Sequence, residues 1–288
     1  MRLAEARIPV TDRGFLFADS VFDTVRTYGG RPFLLGDHMD RLRRSAGALS
    51  MPVPWADEEL TGIVQACLVA RGFPGEGSVR IIVTRGDGGS GLLFPEPQVP
   101  RLVVLCRPTP SSYDGLADAG VHLVRPSEHL GKGGGLGHVK SGDYLGNLLA
   151  LNEGRAAGGL EALMHGTDGS WGEATTSNLF AVHEGVVSTP GSVAGILPGV
   201  TRATLFAALR HAGVPLLERS LFDDDLRSAD ELFITSSLKE VLPATHLDGR
   251  ALHGGVPGPV TRQVQGLFRD AVRRLMDGGH ARLADLFG

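Results

Sequence analysis

Residues 131–153 read GKGGGLGHVKSGDYLGNLLALNE. The glycine run at 131–138 is incompatible with regular structure and reads as a connector that positions the segment after it. A helical pattern then extends over 141–157, its apolar part being YLGNLLALN. Lys140 stands where the connector gives way to that helix, so a rigid element can hold its amine in a cleft. The position matters because lysine is scarce. Of 28 lysines and arginines, only Lys132, Lys140 and Lys239 are lysines. Arginine can carry surface charge in place of lysine but cannot form an imine with a carbonyl, which makes each retained lysine a candidate for that chemistry. The plain alternative is that composition bias has left three survivors.

Outward from this stretch, the pattern is mixed. Residues 37–49 place Met39, Leu42, Ala46 and Leu49 at helical spacing, and residues 57–71 do the same through Leu60, Ile63, Val64, Cys67 and Leu68, with Gly72 as the stop. Strand-like runs follow at 78–85, 101–107 and 121–125. Beyond the connector, helices are expected at 200–212 and 259–276, and strands near 161–165, 174–182 and 231–235. This gives a smaller N-terminal α+β domain at 1–110, a linker at 111–119 and a larger C-terminal α/β domain at 120–288. No internal repeat is visible.

The composition limits the choice of function. Of 288 residues, 42% are hydrophobic and 21% charged, the balance of a globular protein with a sizeable core. A net charge of −4 offers no basic face for nucleic acid. The longest tempting uncharged stretch, 185–201, holds four glycines and two prolines and is a loop, so no membrane partner is expected. The opening MRLAEARIPV carries Glu5 and does not read as a signal peptide. Cys67 and Cys106 sit in apolar runs and read as buried thiols of a reduced, cytoplasmic protein. Gly86, Gly88 and Gly91 form G-x-G-x-x-G after a strand, but LLFPEPQVP cannot supply the helix a dinucleotide site needs. Lys140-Ser141 resembles the end of a phosphate-binding loop, yet Val139 stands where glycine is required. The ten histidines show no ligand spacing, so no metal is expected.

Four separated pieces make chemical sense together. Lys140 offers an amine. Glu173, in WGEATTSNLF, is a carboxylate on a partly buried strand. The segment ILPGVTR (196–202) turns at Pro198-Gly199 and opens a helix whose first N–H groups, with the Thr201 hydroxyl, favour a phosphate. TSS at 235–237 adds hydroxyls and amides. Each alone has an ordinary structural reading. Jointly they supply what pyridoxal 5′-phosphate (PLP) requires: an amine for the aldehyde, an acid for the ring nitrogen and a cup for the phosphate.

The segments DRGFLFADSVFDTVRTYGGRPFLLGDHMDRL (12–42), HVKSGDYLGNLLALNE (138–153), GSWGEATTSNLFAVHEG (169–185), ILPGVTR and ELFITSSLKEVLP resemble the class IV aminotransferases, from about residue 8 to 275. That family includes branched-chain and D-amino-acid aminotransferases and aminodeoxychorismate lyase. The resemblance implies an α/β (α+β), two-domain, fold-type IV architecture like that of D-amino-acid aminotransferase, PLP in the interdomain cleft, and a homodimer acting on an amino donor and a 2-oxo acid acceptor. It makes Lys140 the catalytic lysine, bound to PLP as an imine and carrying the proton. It sets Glu173 against the ring nitrogen and Tyr144 beside the ring hydroxyl. Arg41, in the stretch 38–42, would grip the phosphate; Leu197 would pack on the ring; Val200, Thr201 and Ser237 would complete the phosphate cup.

The chain departs from the family pattern at several points. FADS stands for the usual F/Y-G-D-G, through Ala18 and Ser20. Gly142 replaces an apolar residue and Asp143 an asparagine. The arginine-x-histidine pair of D-amino-acid aminotransferases is absent from RGDGGSG, and Ser90 replaces the arginine of lyase members. Eleven residues precede DRG, so most of the family's first strand is missing or the true start lies upstream. Transamination is the favoured reading because of Ser90. Release of pyruvate and 4-aminobenzoate by a lyase is the alternative, and a PLP-binding homologue without turnover a second one. Donor side chain and stereochemistry stay open.

Overall fold

A computed structural model describes residues 3–72, 76–88, 91–127 and 136–287. Ser90, Lys132 and the part of the connector at 131–135 lie outside the described residues.

The first half runs α1 (Arg13–Phe17), β1 (Ser20–Tyr28), β2 (Arg31–Pro32), α2 (Leu35–Ala48), α3 (Asp57–Arg71), β3 (Gly77–Thr84) and β4 (Arg101–Pro108). Its four strands form an antiparallel sheet in the order β2-β1-β3-β4. The two-residue period of β1 divides its side chains. Val21, Asp23, Val25 and Thr27 are fully buried on one face. There Val21 and Val25 join Val79, Ile81 and Val83 of β3 against Met39, Leu42, Leu60 and Val64 of the helices. Each such aliphatic side chain, once buried, stabilises by about 1.5–3 kcal/mol. Phe22 and Thr24, on the other face, border a cavity between the two halves. The two expected helices form, and α3 ends at Gly72 in the left-handed conformation (φ 65°). β1 is not among the strands expected from the sequence.

The second half runs α4 (Leu116–Ala119), β5 (Val121–Val124), α5 (Leu145–Ala156), β6 (Glu161–His165), β7 (Trp171–Ala174), β8 (Asn178–His183), β9 (Val186–Thr189), α6 (Val200–His211), β10 (Leu216–Glu218), α7 (Asp223–Ser228), β11 (Glu231–Ser236), β12 (Glu240–Leu247), β13 (Arg250–Ala251), α8 (Pro259–Asp277) and α9 (Ala284–Phe287). Nine strands form one mixed sheet, and a bridge from Glu173 of β7 to Asn178 of β8 closes β8-β11-β12-β5-β6-β7 into a ring. Both faces are apolar. Leu179, Ala181, Leu232 and Ile234 fill the interior with Leu123, Leu163 and Leu242. Phe180 and Phe233 stack outside, centroids 4.6 Å apart, under Leu205 of α6 and Phe268 of α8.

Two expectations need correction. The single strand at 174–182 is a hairpin, because residues 175–177 leave the ladder to satisfy Glu161. The helix expected from 141 starts at Leu145. Residues 140–142 instead extend along β1, with Phe22 N–H donating to the Lys140 carbonyl (2.9 Å) and Gly142 N–H to that of Ser20 (2.7 Å). Lys140 thus sits on a strand-like splice that joins the two halves. The thiols of Cys67 and Cys106 are free and partly buried, and burial pushes that of Cys106 up to about 11.

Candidate active site

A cavity of about 240 Å³ lies where the two halves meet. All eight residues expected at the site border it: Arg41, Lys140, Tyr144, Glu173, Leu197, Val200, Thr201 and Ser237.

At one end, the splice fixes Lys140 through its carbonyl and through its own N–H, which donates to Ser45 Oγ at 3.0 Å. Its Nζ lies 4.8 Å from the centroid of the Phe22 ring, and the guanidinium of Arg80 lies 3.7 Å from the same centroid. Tyr144 meets that ring edge-on at 5.4 Å. Burial, then the charge of Glu173, pushes its phenol up to about 12, so Tyr144 remains a proton donor near neutral pH. Two of the departures from the family pattern are one exchange of volume. A Cβ on Gly142 would stand 2.1 Å from Ser20 Oγ, so the serine occupies the room that a side chain at 142 would need.

In the middle, Glu173 of β7 and Asn178 of β8 clamp the backbone of one residue, Leu197. Glu173 Oε2 accepts the Leu197 N–H (3.1 Å), and Asn178 Nδ2 donates to the Leu197 carbonyl (2.9 Å). The clamp gives this carboxylate a backbone amide as hydrogen-bond donor. Gly199 follows as the N-cap of α6, with ordinary extended dihedrals. Its lack of a side chain serves a close approach, since a Cβ there would lie 2.1 Å from Asn178 Oδ1. Among the described residues no side chain caps the first turn of α6, whose Val200 and Thr201 face the cavity.

At the far end, Arg41 of α2 is buried and bidentate on Asp23, Nε to Oδ2 at 2.8 Å and Nη2 to Oδ1 at 2.7 Å. Its Nη1 donates to the Pro198 carbonyl at 3.2 Å. His38 Nδ1 lies 2.7 Å from Asp23 Oδ1. Burial works against the Asp23 charge, but Arg41 and His38 hold the carboxyl far below its usual range. Burial also lowers His38, which favours the neutral imidazole.

The cavity fits PLP. Its polar lining includes the uncapped turn of α6 and Thr235 Oγ1, a buried hydroxyl with no hydrogen-bond partner among the described residues. An anion at that end would meet open donors. Sequence reasoning missed Phe22, Thr24, Arg80, Tyr113 and Asn178 as lining residues; Thr235 belongs to the TSS segment read as adding hydroxyls. Phe22, Thr24 and Asn178 lay inside the quoted motifs, whereas Arg80 carried no signal beyond strand alternation.

The profile of the family described as amino-transferase class IV matches residues 20–247. The chain is 33% identical to a putative branched-chain-amino-acid aminotransferase of Methanocaldococcus jannaschii, over 92% of this chain and 91% of that protein. It is 32% identical to a D-alanine aminotransferase of Listeria monocytogenes, over 94% and 92%. Among solved structures, the Escherichia coli branched-chain amino acid aminotransferase superposes with a TM-score of 0.88 at 26% identity, covering 94% of this chain and 91% of that one. The branched-chain aminotransferase of the archaeon Thermoproteus uzoniensis, solved with norvaline, gives 0.87 at 29%, covering 95% and 92%. A putative 4-amino-4-deoxychorismate lyase of Legionella pneumophila gives 0.85 at 25%, covering 93% and 97%. With the family profile matching residues 20–247 and a relative 33% identical over 92% of its length, this chain belongs to the amino-transferase class IV family.

Proposed function

We propose that this PLP-dependent aminotransferase moves an amino group between an amino acid and a 2-oxo acid, with the eight cavity residues in the roles that the family resemblance implies. The observation that carries the reading is the convergence of Lys140, Glu173 and the uncapped turn of α6 on one cavity. Bound PLP supplies an aldehyde for the amine and an electron-withdrawing ring. Lys140 anchors the cofactor through Nζ and shuttles the substrate α-proton on the same atom. Glu173 keeps a proton on the facing ring nitrogen, and Tyr144, protonated near neutral pH, donates to the ring oxygen. Arg41, Val200, Thr201, Thr235 and Ser237 hold the phosphate, and Leu197 packs on the ring. Residues 1–110 and 120–288 act as the two walls of the cleft, with 111–119 between them.

Arg80 supports a carboxylate-bearing substrate. Its head lies over Phe22, on the ring that Lys140 Nζ also approaches, and no carboxylate pairs with it among the described residues. A homodimer is supported by exposed apolar side chains: Phe17, Leu92, Leu93 and Phe94 gathered around Arg13, and Leu145, Leu148 and Leu149 on α5. No helix among the described residues is long and apolar enough to cross a membrane, and the two free thiols accord with a cytoplasmic setting.

A panel of amino acids, read spectrally on the PLP-loaded protein, tests the function. Conversion to the pyridoxamine form, reversed by 2-oxoglutarate or pyruvate, is the expected result, and borohydride should fix PLP on Lys140. Pyruvate and 4-aminobenzoate formed from aminodeoxychorismate, without that conversion, would establish the lyase instead. A PLP band indifferent to every amine would end the transaminase reading.

A further inference from the structure

Lys239 has no part in the chemistry above, yet it is one of the three lysines in an arginine-rich chain. It is buried (8% exposed), as is Glu161 of β6 (1%). The ammonium has three N–H bonds and three acceptors: Glu161 Oε1, Thr176 Oγ1 at 2.5 Å and Ser177 Oγ at 3.3 Å. Glu161 also accepts from the hydroxyls of Thr175 and Thr176, from Ser177 Oγ at 3.3 Å and from the Thr176 N–H at 3.0 Å. Burial alone would raise the Glu161 carboxyl, but the Lys239 charge and the hydroxyl donors hold it below its usual range.

The cluster lies directly behind a wall of the cavity. Thr175, Thr176 and Ser177 border the cavity from the β7–β8 turn; Ser236, Ser237 and Leu238 border it from the turn that Lys239 itself continues. Lys239 therefore ties the two turns together. The second turn is also fixed to β1, since Arg26 donates to the Leu238 carbonyl at 2.7 Å and the Tyr28 hydroxyl to Glu240 Oε1 at 2.6 Å. Three acceptors converging on one small cation suit an ammonium. The planar fork of a guanidinium cannot meet them all, which explains why lysine is kept here.

We propose that Lys239 is a positioning residue: through Glu161 it sets the spacing between turns 175–177 and 236–238, and so the shape of the wall that holds cofactor and substrate. The proposal rests on the assignment of Ser237 to the phosphate cup. Two variants, Lys239→Met and Lys239→Arg, test it against the wild type. PLP affinity is read by titrating cofactor-free protein at the visible band, and kcat and KM for the 2-oxo acid are read on the loaded enzyme. In Lys239→Met both the PLP Kd and the KM should rise roughly tenfold, with a smaller fall in kcat. Lys239→Arg, which keeps the charge, should restore folding without restoring either constant fully. A folded Lys239→Met protein with wild-type constants overturns the proposal, even if its Tm is lower. If that variant is insoluble, wild-type constants in Lys239→Arg do the same. A wild-type protein that fails to bind PLP would instead overturn the reading of the site.

Discussion

Arg41 and Arg80 border the same cavity, but they reach it in opposite states. Arg41 is buried, gripped on two N–H groups by a fully buried Asp23 and backed by His38. Arg80 is exposed, lies on an aromatic face and has no acid beside it among the described residues. The Arg41 end is thus built before any ligand arrives, and its remaining donors are fixed in direction. The Arg80 end leaves its counter-charge to be supplied from outside. A cofactor that stays through every turnover suits the first arrangement. A substrate that must enter and leave suits the second, since a fully paired and desolvated cation would gain less from each new carboxylate.

The comparison breaks most visibly at Asp23. Asp23→Asn keeps the shape but leaves Arg41 buried without a counter-charge, and breaking a buried pair in this way costs about 3–5 kcal/mol. Denaturant unfolding of the cofactor-free protein measures it. The same pair sets a pH dependence. Asp23 is depressed in the folded state, so its contribution is present above the unfolded-state value and is lost as pH falls below about 4. His38 is also lowered, so the unfolded chain takes up its proton first, and stability should begin to fall below about pH 6.5. Both effects have one sign: acid destabilises. Asp23→Asn should flatten the part below pH 4. A variant with wild-type stability and an unchanged acid limb would show that the pairing is incidental.

Glu173 lies between the two ends, and there the expected cost is kinetic. Glu173→Gln keeps a group that can still accept from the Leu197 N–H. In the role proposed for Glu173, the substitution removes the charge that would hold a proton on the ring nitrogen of bound PLP. Turnover should fall by roughly two decades, about 2.7 kcal/mol, while PLP binding changes less, because Arg41 and the α6 turn remain. Near-wild-type kcat with PLP bound would make this carboxylate structural.

The same contrast explains how much could be read from the sequence. The end proposed to hold the cofactor is largely local. ILPGVTR contains both the turn and the helix start, and TSS contains its own hydroxyls, so these pieces declare their chemistry within a few residues. The strands β3 and β11 were legible because each carries three consecutive apolar residues, 81–83 and 232–234. β1 escaped notice because Asp23 occupies a core position, and what makes that tolerable is Arg41, a residue on another element. β12 was hidden by Pro243 and the polar Thr245, both buried only because β11 and β5 flank them. The Lys239–Glu161 pair, the Leu197 clamp and the meeting of Arg80 with Lys140 over Phe22 depend on chain crossovers that no local pattern encodes.

The smallest expected effect sharpens the comparison most. Arg80→Met retains a flexible side chain that can still cover Phe22, and removes a charge that no protein group neutralises among the described residues. Stability should therefore change little, within the ~0.5 kcal/mol usual for a surface substitution. Substrate binding should change selectively. A single charge-assisted contact at a partly solvated mouth contributes about 1.4 kcal/mol, so KM for a dicarboxylic partner such as 2-oxoglutarate should rise roughly tenfold. KM for a partner with one carboxylate should move less if Arg80 reads the distal group. It should move equally if Arg80 reads the carboxylate common to both. Steady-state kinetics with 2-oxoglutarate and pyruvate side by side distinguishes the two. Unchanged KM for both would mean that the exposed arginine serves the sheet surface, and the unpaired cation would lose its assignment as the substrate end of the cavity.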